Sequence, residues 1–137
     1  MVSLAIRKIP SLEVSDIEIF RSGPSYTIDT VRELKREGHE VIVLLGTDSI
    51  IEMDEWQDPD LLHSECEVVG LIRPGFQIDK SKSYLSRQRK YSLRTIEVNS
   101  PEISSTRVRN LIQDGVDVAD LIPQEVNEYI KEQKLYH

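Results

Sequence analysis

Apolar positions recur along the chain in short periodic runs separated by Gly, Pro and charged residues, and the period changes from run to run. Val2, Ile6 and Ile9 fall at helical spacing just before Pro10, so this run reads as the last turns of a helix. Between Glu13 and Phe20, Ile17 and Ile19 alternate with Asp16 and Glu18, the pattern of a half-exposed strand. Gly23-Pro24 breaks it, and Ser25 or Thr27 can cap a helix that carries Ile28, Val31 and Leu34 and stops at Gly38. Val41 to Leu45 has no polar alternation, which predicts a strand buried on both faces. Gly46 ends it and Asp48-Ser49 opens a short helix, and a break at Trp56 to Pro59 precedes Leu61-Leu62. Cys66 to Ile72 is a third strand candidate and Arg94 to Asn99 a short fourth. Ser104 is placed as N-cap of a helix reaching Gln113, with Val108, Leu111 and Ile112 on one face and Gly115 near its end. Pro123 at a first helical position begins the last helix, whose Val126 and Ile130 face inward.

Strands alternating with helices predict an α/β fold with a parallel sheet. In such sheets ligands gather at the carboxyl ends of strands, against helix N-termini. Composition fits one core: 42 of the 137 residues are Ile, Val, Leu or Phe, well above the level at which disorder is expected. The longest apolar run is only Val41 to Leu45, far short of a membrane span. With no stretch that reads as a signal peptide and a lone Cys66, the expected setting is a reducing cytoplasm.

Charge is uneven. Formal net charge is −7, yet Arg73 to Arg94 carries +6 and the rest of the chain −13. That balance argues against general nucleic-acid binding, which wants a broad basic face. The basic segment either meets a small polyanion such as a nucleotide or is a solvated loop.

Three polar clusters fall at predicted strand ends. Gly46-Thr47-Asp48-Ser49 follows the apolar strand; its Gly permits close backbone approach and its Asp can accept from ribose hydroxyls, although the same string also serves as an ordinary helix cap. Ser104-Ser105-Thr106-Arg107-Val108-Arg109 sets three hydroxyls and free N–H groups at a helix start, an anion cradle. Arg109 lies three residues beyond Thr106, on the same side of the first turn, where a guanidinium can hold phosphate oxygens. A redundant N-cap with a surface Arg is the simpler alternative. Trp56, the only Trp, stands in the polar stretch Asp54 to Pro59 and either stacks on an aromatic ligand or pins a loop. His39, His63 and His137 have no metal-ligand spacing, and neither a GxSxG elbow nor a P-loop string is present.

Taken together, VSDIEI (Val14 to Ile19), GPSYTIDTVRELK (Gly23 to Lys35), LLGTDSI (Leu44 to Ile50), EWQDP (Glu55 to Pro59), RPGF (Arg73 to Phe76), ISSTRVR (Ile103 to Arg109) and LIPQEVNEYI (Leu121 to Ile130) resemble one family. It is the nicotinate-nucleotide adenylyltransferases of bacterial NAD synthesis. The resemblance implies a Rossmann-like nucleotidyltransferase fold that transfers AMP from ATP to nicotinate mononucleotide, with Mg²⁺ travelling on the ATP phosphates. It implies that Ser25, Tyr26 and Thr27 place the pyridine carboxylate and that Trp56 stacks on the ring. Gly46 and Asp48 would meet a ribose, with Thr47 between them in the nucleotide-binding set, Arg73 would lie near adenine, and Ser104, Ser105, Thr106 and Arg109 would hold the ATP phosphates.

The sequence departs from that family's pattern in one large respect. The family's Gly-Gly-Thr-Phe-Asp-Pro-x-His-x-Gly-His turn, whose histidines stabilise the transferring phosphate, is absent. Met1 to Ile6 aligns instead with the middle of a later helix. The expectation is therefore an incomplete single domain over 1–137, short of an N-terminal strand–helix–strand portion of about 50–65 residues. Such a chain is expected to lack turnover alone and to be unstable, swapped or aggregated. The competing expectations are a non-catalytic nucleotide-binding remnant and another small-molecule adenylyltransferase of the same fold, such as one acting on phosphopantetheine. Association into a homo-oligomer is open.

Overall fold

The computed structural model describes residues 1–72, 93–101 and 103–136. Arg73, and with it nearly all of the basic segment, lies outside the described residues. The elements in chain order are α1 (Val2–Ile6), α2 (Thr27–Arg36), β1 (Ile42–Gly46), α3 (Thr47–Glu52), a 3₁₀ turn (Met53–Glu55), α4 (Pro59–Glu65), β2 (Glu67–Ile72), β3 (Arg94–Glu97), α5 (Ser105–Gln113) and α6 (Gln124–Glu132). The chain divides into two units: residues 17–100, and residues 1–16 with 101–137.

The first unit holds a three-stranded parallel sheet in the order β1-β2-β3. The register pairs Ile42 with Glu67 and Gly46 with Leu71 on one side of β2, and Val69 with Arg94 and Ile72 with Glu97 on the other. Its core is Ile28 and Val31 of α2, Leu45, Ile50, Met53, Leu62, Val68 and Leu93, with Trp56 packed against it. Gly70 in the middle of β2 is where α3 comes nearest. A Cβ there would meet Ile50 Cδ1 at 2.5 Å and Thr95 Cγ2 at 3.3 Å, so only Gly lets Ile50 seat on the strand.

Two expectations about this unit are corrected. β1 is an edge strand rather than one buried on both faces: Val43 and Leu45 point into the core, while Ile42 and Leu44 are 53% and 59% exposed. An unbroken apolar run records that both faces are apolar, and whether both are covered depends on what packs there. The alternation at Glu13 to Phe20 forms no strand; residues 17–22 make turns, with Ile19 and Phe20 about 80% exposed. A strand needs a ladder partner, and here the polar residues bond instead to α2. Glu18 accepts from Thr30 Oγ1 at 2.6 Å, and Arg21 donates to Thr30 Oγ1 at 2.9 Å and to Glu33 at 2.7 Å.

The second unit is helical. Val108 and Ile112 of α5, Val118, and Val126 and Ile130 of α6 form its core, with Leu4 and Ala5 of α1 packed against them. Lys8 pairs with Glu125 at 2.5 Å and holds that carboxyl below its ordinary range. Pro123 is the N-cap residue of α6, one place before the predicted first turn.

Helix ends follow the sequence closely. At Gly38 and Gly115 the chain turns through φ of +92° and +72°. His39 N–H then bonds Leu34 O at 3.1 Å, and Val116 N–H bonds Leu111 O at 2.8 Å. The partner bonds, Gly38 N–H to Lys35 O and Gly115 N–H to Ile112 O, complete a Schellman pattern at each end.

Candidate active site

The ring-binding candidates lie on the turn between residues 17 and 27 and on the loop after the 3₁₀ turn. Tyr26, not Ser25 or Thr27, is the N-cap of α2, and no side chain caps that helix. Asp29 and Thr30 N–H groups bond to Tyr26 O at 3.0 and 3.3 Å. Ser25 Oγ donates to Glu18 O at 3.3 Å, so its hydroxyl fastens the turn. Tyr26 stays 41% exposed. The Glu18–Arg21–Thr30–Glu33 network that fixes this segment was missed in the sequence. Its signal was Thr30 and Glu33, three apart on the polar face of α2, opposite two charges of a supposed strand.

Trp56 is half-buried against the core, and its backbone N–H bonds Met53 O at 3.1 Å. The packing of Trp56 on the core is compatible with a pinning role, and the residue is only partly buried. Asp58 adopts a left-handed conformation, φ +51°, with Pro59 next at the start of α4. That corner fixes where the Trp loop ends.

At the carboxyl end of β1, Gly46 is extended (φ −67°, ψ 161°) and caps α3 through its backbone. A Cβ on it would touch nothing within 4 Å, so the space above it is open. Asp48 in the first turn of α3 is exposed. Thr47 differs from its neighbours: it is buried, and its hydroxyl donates to Leu71 O at 3.2 Å, tying β1 to β2.

In the helical unit the run from Ser104 to Arg109 forms a capped helix start. Ser104 (φ −121°, ψ 149°) is the N-cap of α5, and its Oγ accepts from Arg107 N–H at 3.1 Å. Ser105 and Thr106 are exposed in the first turn. Arg109 Nη2 donates to Thr106 Oγ1 at 3.3 Å, which lays the guanidinium along the helix start. Ser105 and Arg109 also border a hollow of about 410 Å³ whose apolar wall includes Ile103, Val126 and Tyr136. Hydroxyls, helix-terminal N–H groups and the exposed Arg109 side chain are groups that can meet an anion.

The Arg32–Glu65 ion pair joins α2 to α4. Arg32 donates to Glu65 Oε1 through Nε at 2.9 Å and Nη2 at 2.7 Å. That bond raises the guanidinium and lowers the carboxyl from their ordinary values. Burial pushes the Cys66 thiol up, away from thiolate reactivity. Among the described residues no three His, Cys, Asp or Glu side chains gather as a metal cage.

The described residues thus hold a parallel sheet in one unit and, in the other, a capped helix start bearing hydroxyls and Arg. The model of the cytidylyltransferase-like family matches residues 1–111. A relative in Moorella thermoacetica is 39% identical over 99% of this chain and 65% of its own length. Relatives in Bacillus licheniformis and Geobacter metallireducens are 37% and 34% identical, with 68% and 72% of their lengths covered. All three are named probable nicotinate-nucleotide adenylyltransferase. The chain belongs to the nicotinate-nucleotide adenylyltransferase family, and it spans about two thirds of the length of these curated relatives. The fold is that of a solved Plasmodium falciparum nicotinic acid mononucleotide adenylyltransferase complexed with APC, at TM-score 0.68, 21% identity and 96% coverage of this chain and 70% of that one. A second structure of that name, complexed with NaAD, matches at TM-score 0.60 and 22% identity, over 84% of this chain and 58% of that one. No helix among the described residues is long and apolar enough to cross a membrane.

Proposed function

We propose that residues 1–137 are the C-terminal part of one nucleotidyltransferase domain, whose complete form transfers AMP from ATP to nicotinate mononucleotide, releasing pyrophosphate and forming deamido-NAD. The observation that carries the proposal is the start of α5, where the Ser104 cap, exposed Ser105 and Thr106, and Arg109 fixed on Thr106 form a ready anion site. The names of the relatives support the choice of substrates.

In this reading the 5′-phosphate oxygen of the mononucleotide attacks the α-phosphorus of ATP, and the bond to the β-phosphate oxygen breaks. Ser104, Ser105 and Thr106 bind phosphate oxygens, and Arg109 stabilises the charge that grows on them. Ser25, Tyr26 and Thr27 place the pyridine carboxylate, the exposed part of Trp56 takes the ring face, and Gly46, Thr47 and Asp48 take a ribose. Thr47 contributes through its backbone, since its hydroxyl is engaged with Leu71. Arg73 keeps its proposed place near adenine on the resemblance alone. Mg²⁺ enters as part of the substrate, held by ATP phosphates and water, and neutralises their charge. Without the histidine-bearing turn the 137-residue chain binds and does not turn over.

Because Trp56 is the only Trp, its fluorescence reads the ring site directly. Nicotinate mononucleotide is expected to quench it, phosphopantetheine to leave it unchanged, and ATP with Mg²⁺ to bind without steady pyrophosphate release. Arg109→Ala should abolish ATP binding and leave the quenching intact. Equal quenching by both probes, or none by the mononucleotide, overturns the substrate assignment. Steady pyrophosphate release by the chain overturns the division of labour.

A further inference from the structure

Trp56 stands in a short span between two elements of the sheet unit. The 3₁₀ turn Met53–Glu55 precedes it, and Met53 O accepts its backbone N–H at 3.1 Å. On the far side Asp58 turns the chain through a left-handed φ of +51° and hands it to Pro59, the first residue of α4. A residue other than Gly in that conformation, just before Pro, is costly and persists only where its surroundings fix it. Asp58 O accepts from the N–H groups of Leu61 and Leu62, each at 3.1 Å, and Gln57 Nε2 donates to Asp58 Oδ2 at 2.8 Å. Both ends of the Trp56 span are therefore built into hydrogen-bonded structure.

One side chain of α4 reaches back to the 3₁₀ turn. His63 Nε2 lies 2.9 Å from Met53 Sδ. A thioether sulfur only accepts, so the imidazole nitrogen carries the hydrogen and donates it. Met53 is 2% exposed and belongs to the core, while His63 is half-buried. A Met side chain has three rotatable bonds and fills space without fixing direction, and a donor on its sulfur removes that freedom. An apolar side chain at residue 63 could pack on Met53 but could not orient its sulfur. Spacing along the chain gives His63 no role; this contact across ten residues does.

We propose that His63 is a positioning residue for Trp56. Its bond to Met53 Sδ fixes the 3₁₀ turn whose Met53 carbonyl holds the Trp56 backbone, and so sets the pose of the indole on which the pyridine ring stacks. The inference rests on the reading of Trp56 as the platform for that ring. His63 acts through Met53 and the turn, not on the substrate itself.

The test is fluorescence of Trp56, the only Trp, in the full 137-residue chain, with anisotropy measured before any ligand is added. His63→Leu removes the donor, and Met53→Leu removes the acceptor while conserving core volume. Each is expected to lower the anisotropy of the ligand-free chain and to weaken quenching by nicotinate mononucleotide about three- to tenfold, the scale of one hydrogen bond. His63→Gln, whose Nε2 can donate from the same place, should keep both signals at the values of the unaltered chain. The double variant His63→Leu/Met53→Leu should be no worse than either single, since the same bond is lost in all three. Urea midpoints establish that each variant is folded where it is measured, and if His63→Leu does not fold, Met53→Leu carries the same comparison. Unchanged anisotropy in the Leu variants, or a Gln variant as impaired as the Leu variant, overturns the proposal. Failure of nicotinate mononucleotide to quench the unaltered chain overturns the ring reading instead, while the ligand-free anisotropies still decide whether His63 holds Trp56.

Discussion

The two units bury their apolar residues in different ways. The helical unit turns Val108, Ile112, Val126 and Ile130 inward from two amphipathic helices whose polar faces meet solvent. In the sheet unit, α2, α3 and α4 lie over Val43, Leu45 and Val68, while Ile42 and Leu44 on the opposite face of β1 stay more than half exposed. A helix needs one apolar stripe covered, whereas a parallel sheet has two apolar faces and an edge to cover. The lesson is that in the sheet unit apolar character and burial are separate properties. Equally apolar residues one position apart, Leu44 and Leu45, contribute unequally to stability.

The largest expected effect comes from putting that contrast to a denaturation measurement. Leu62→Ala, at a site only 1% exposed, should destabilise the chain by about 2–5 kcal/mol, and Leu44→Ala by less than about 0.5 kcal/mol. Urea midpoints of the two variants decide it, and equal costs would mean that the face of Leu44 is covered. Next in size is Gly70→Ala, expected to cost about 1–3 kcal/mol because the new methyl collides with Ile50. Ile50→Val removes the Cδ1 that it would strike, so the double variant should cost less than the sum of the singles. Additive costs would place the strain elsewhere. The smallest effect belongs to the helical unit. Ser104→Ala should cost about 1 kcal/mol by leaving the Arg107 N–H without its acceptor. Ser104→Asp should restore that stability, and failure to do so would deny the cap.

Much of the local structure was legible in the chain. Schellman glycines at 38 and 115, the Ser104 cap and the inward positions of α5 and α6 all depend on residues within one or two turns of each other. The same is true of the Thr106–Arg109 contact, whose spacing of three dictates a shared face. What could not be read was the fate of residues with non-local partners. Ile17 and Ile19 have strand-like alternation, yet Glu18 and Arg21 found Thr30 and Glu33 of α2 and held the segment in turns. Thr47 stands in a string expected to bind nucleotide, yet its hydroxyl donates a hydrogen bond to Leu71 O, 24 residues away in the chain.

Sequence alone determined most element types, the parallel α/β class, the family and the Ser104 cap of α5, because periodicity, caps and motifs act over a few residues. Tertiary structure decided which face of β1 is covered, why residue 70 must be Gly, and which hydroxyls are committed to the fold. Those outcomes turn on which distant segments meet, and contact between segments far apart in the chain leaves no periodic trace in either of them.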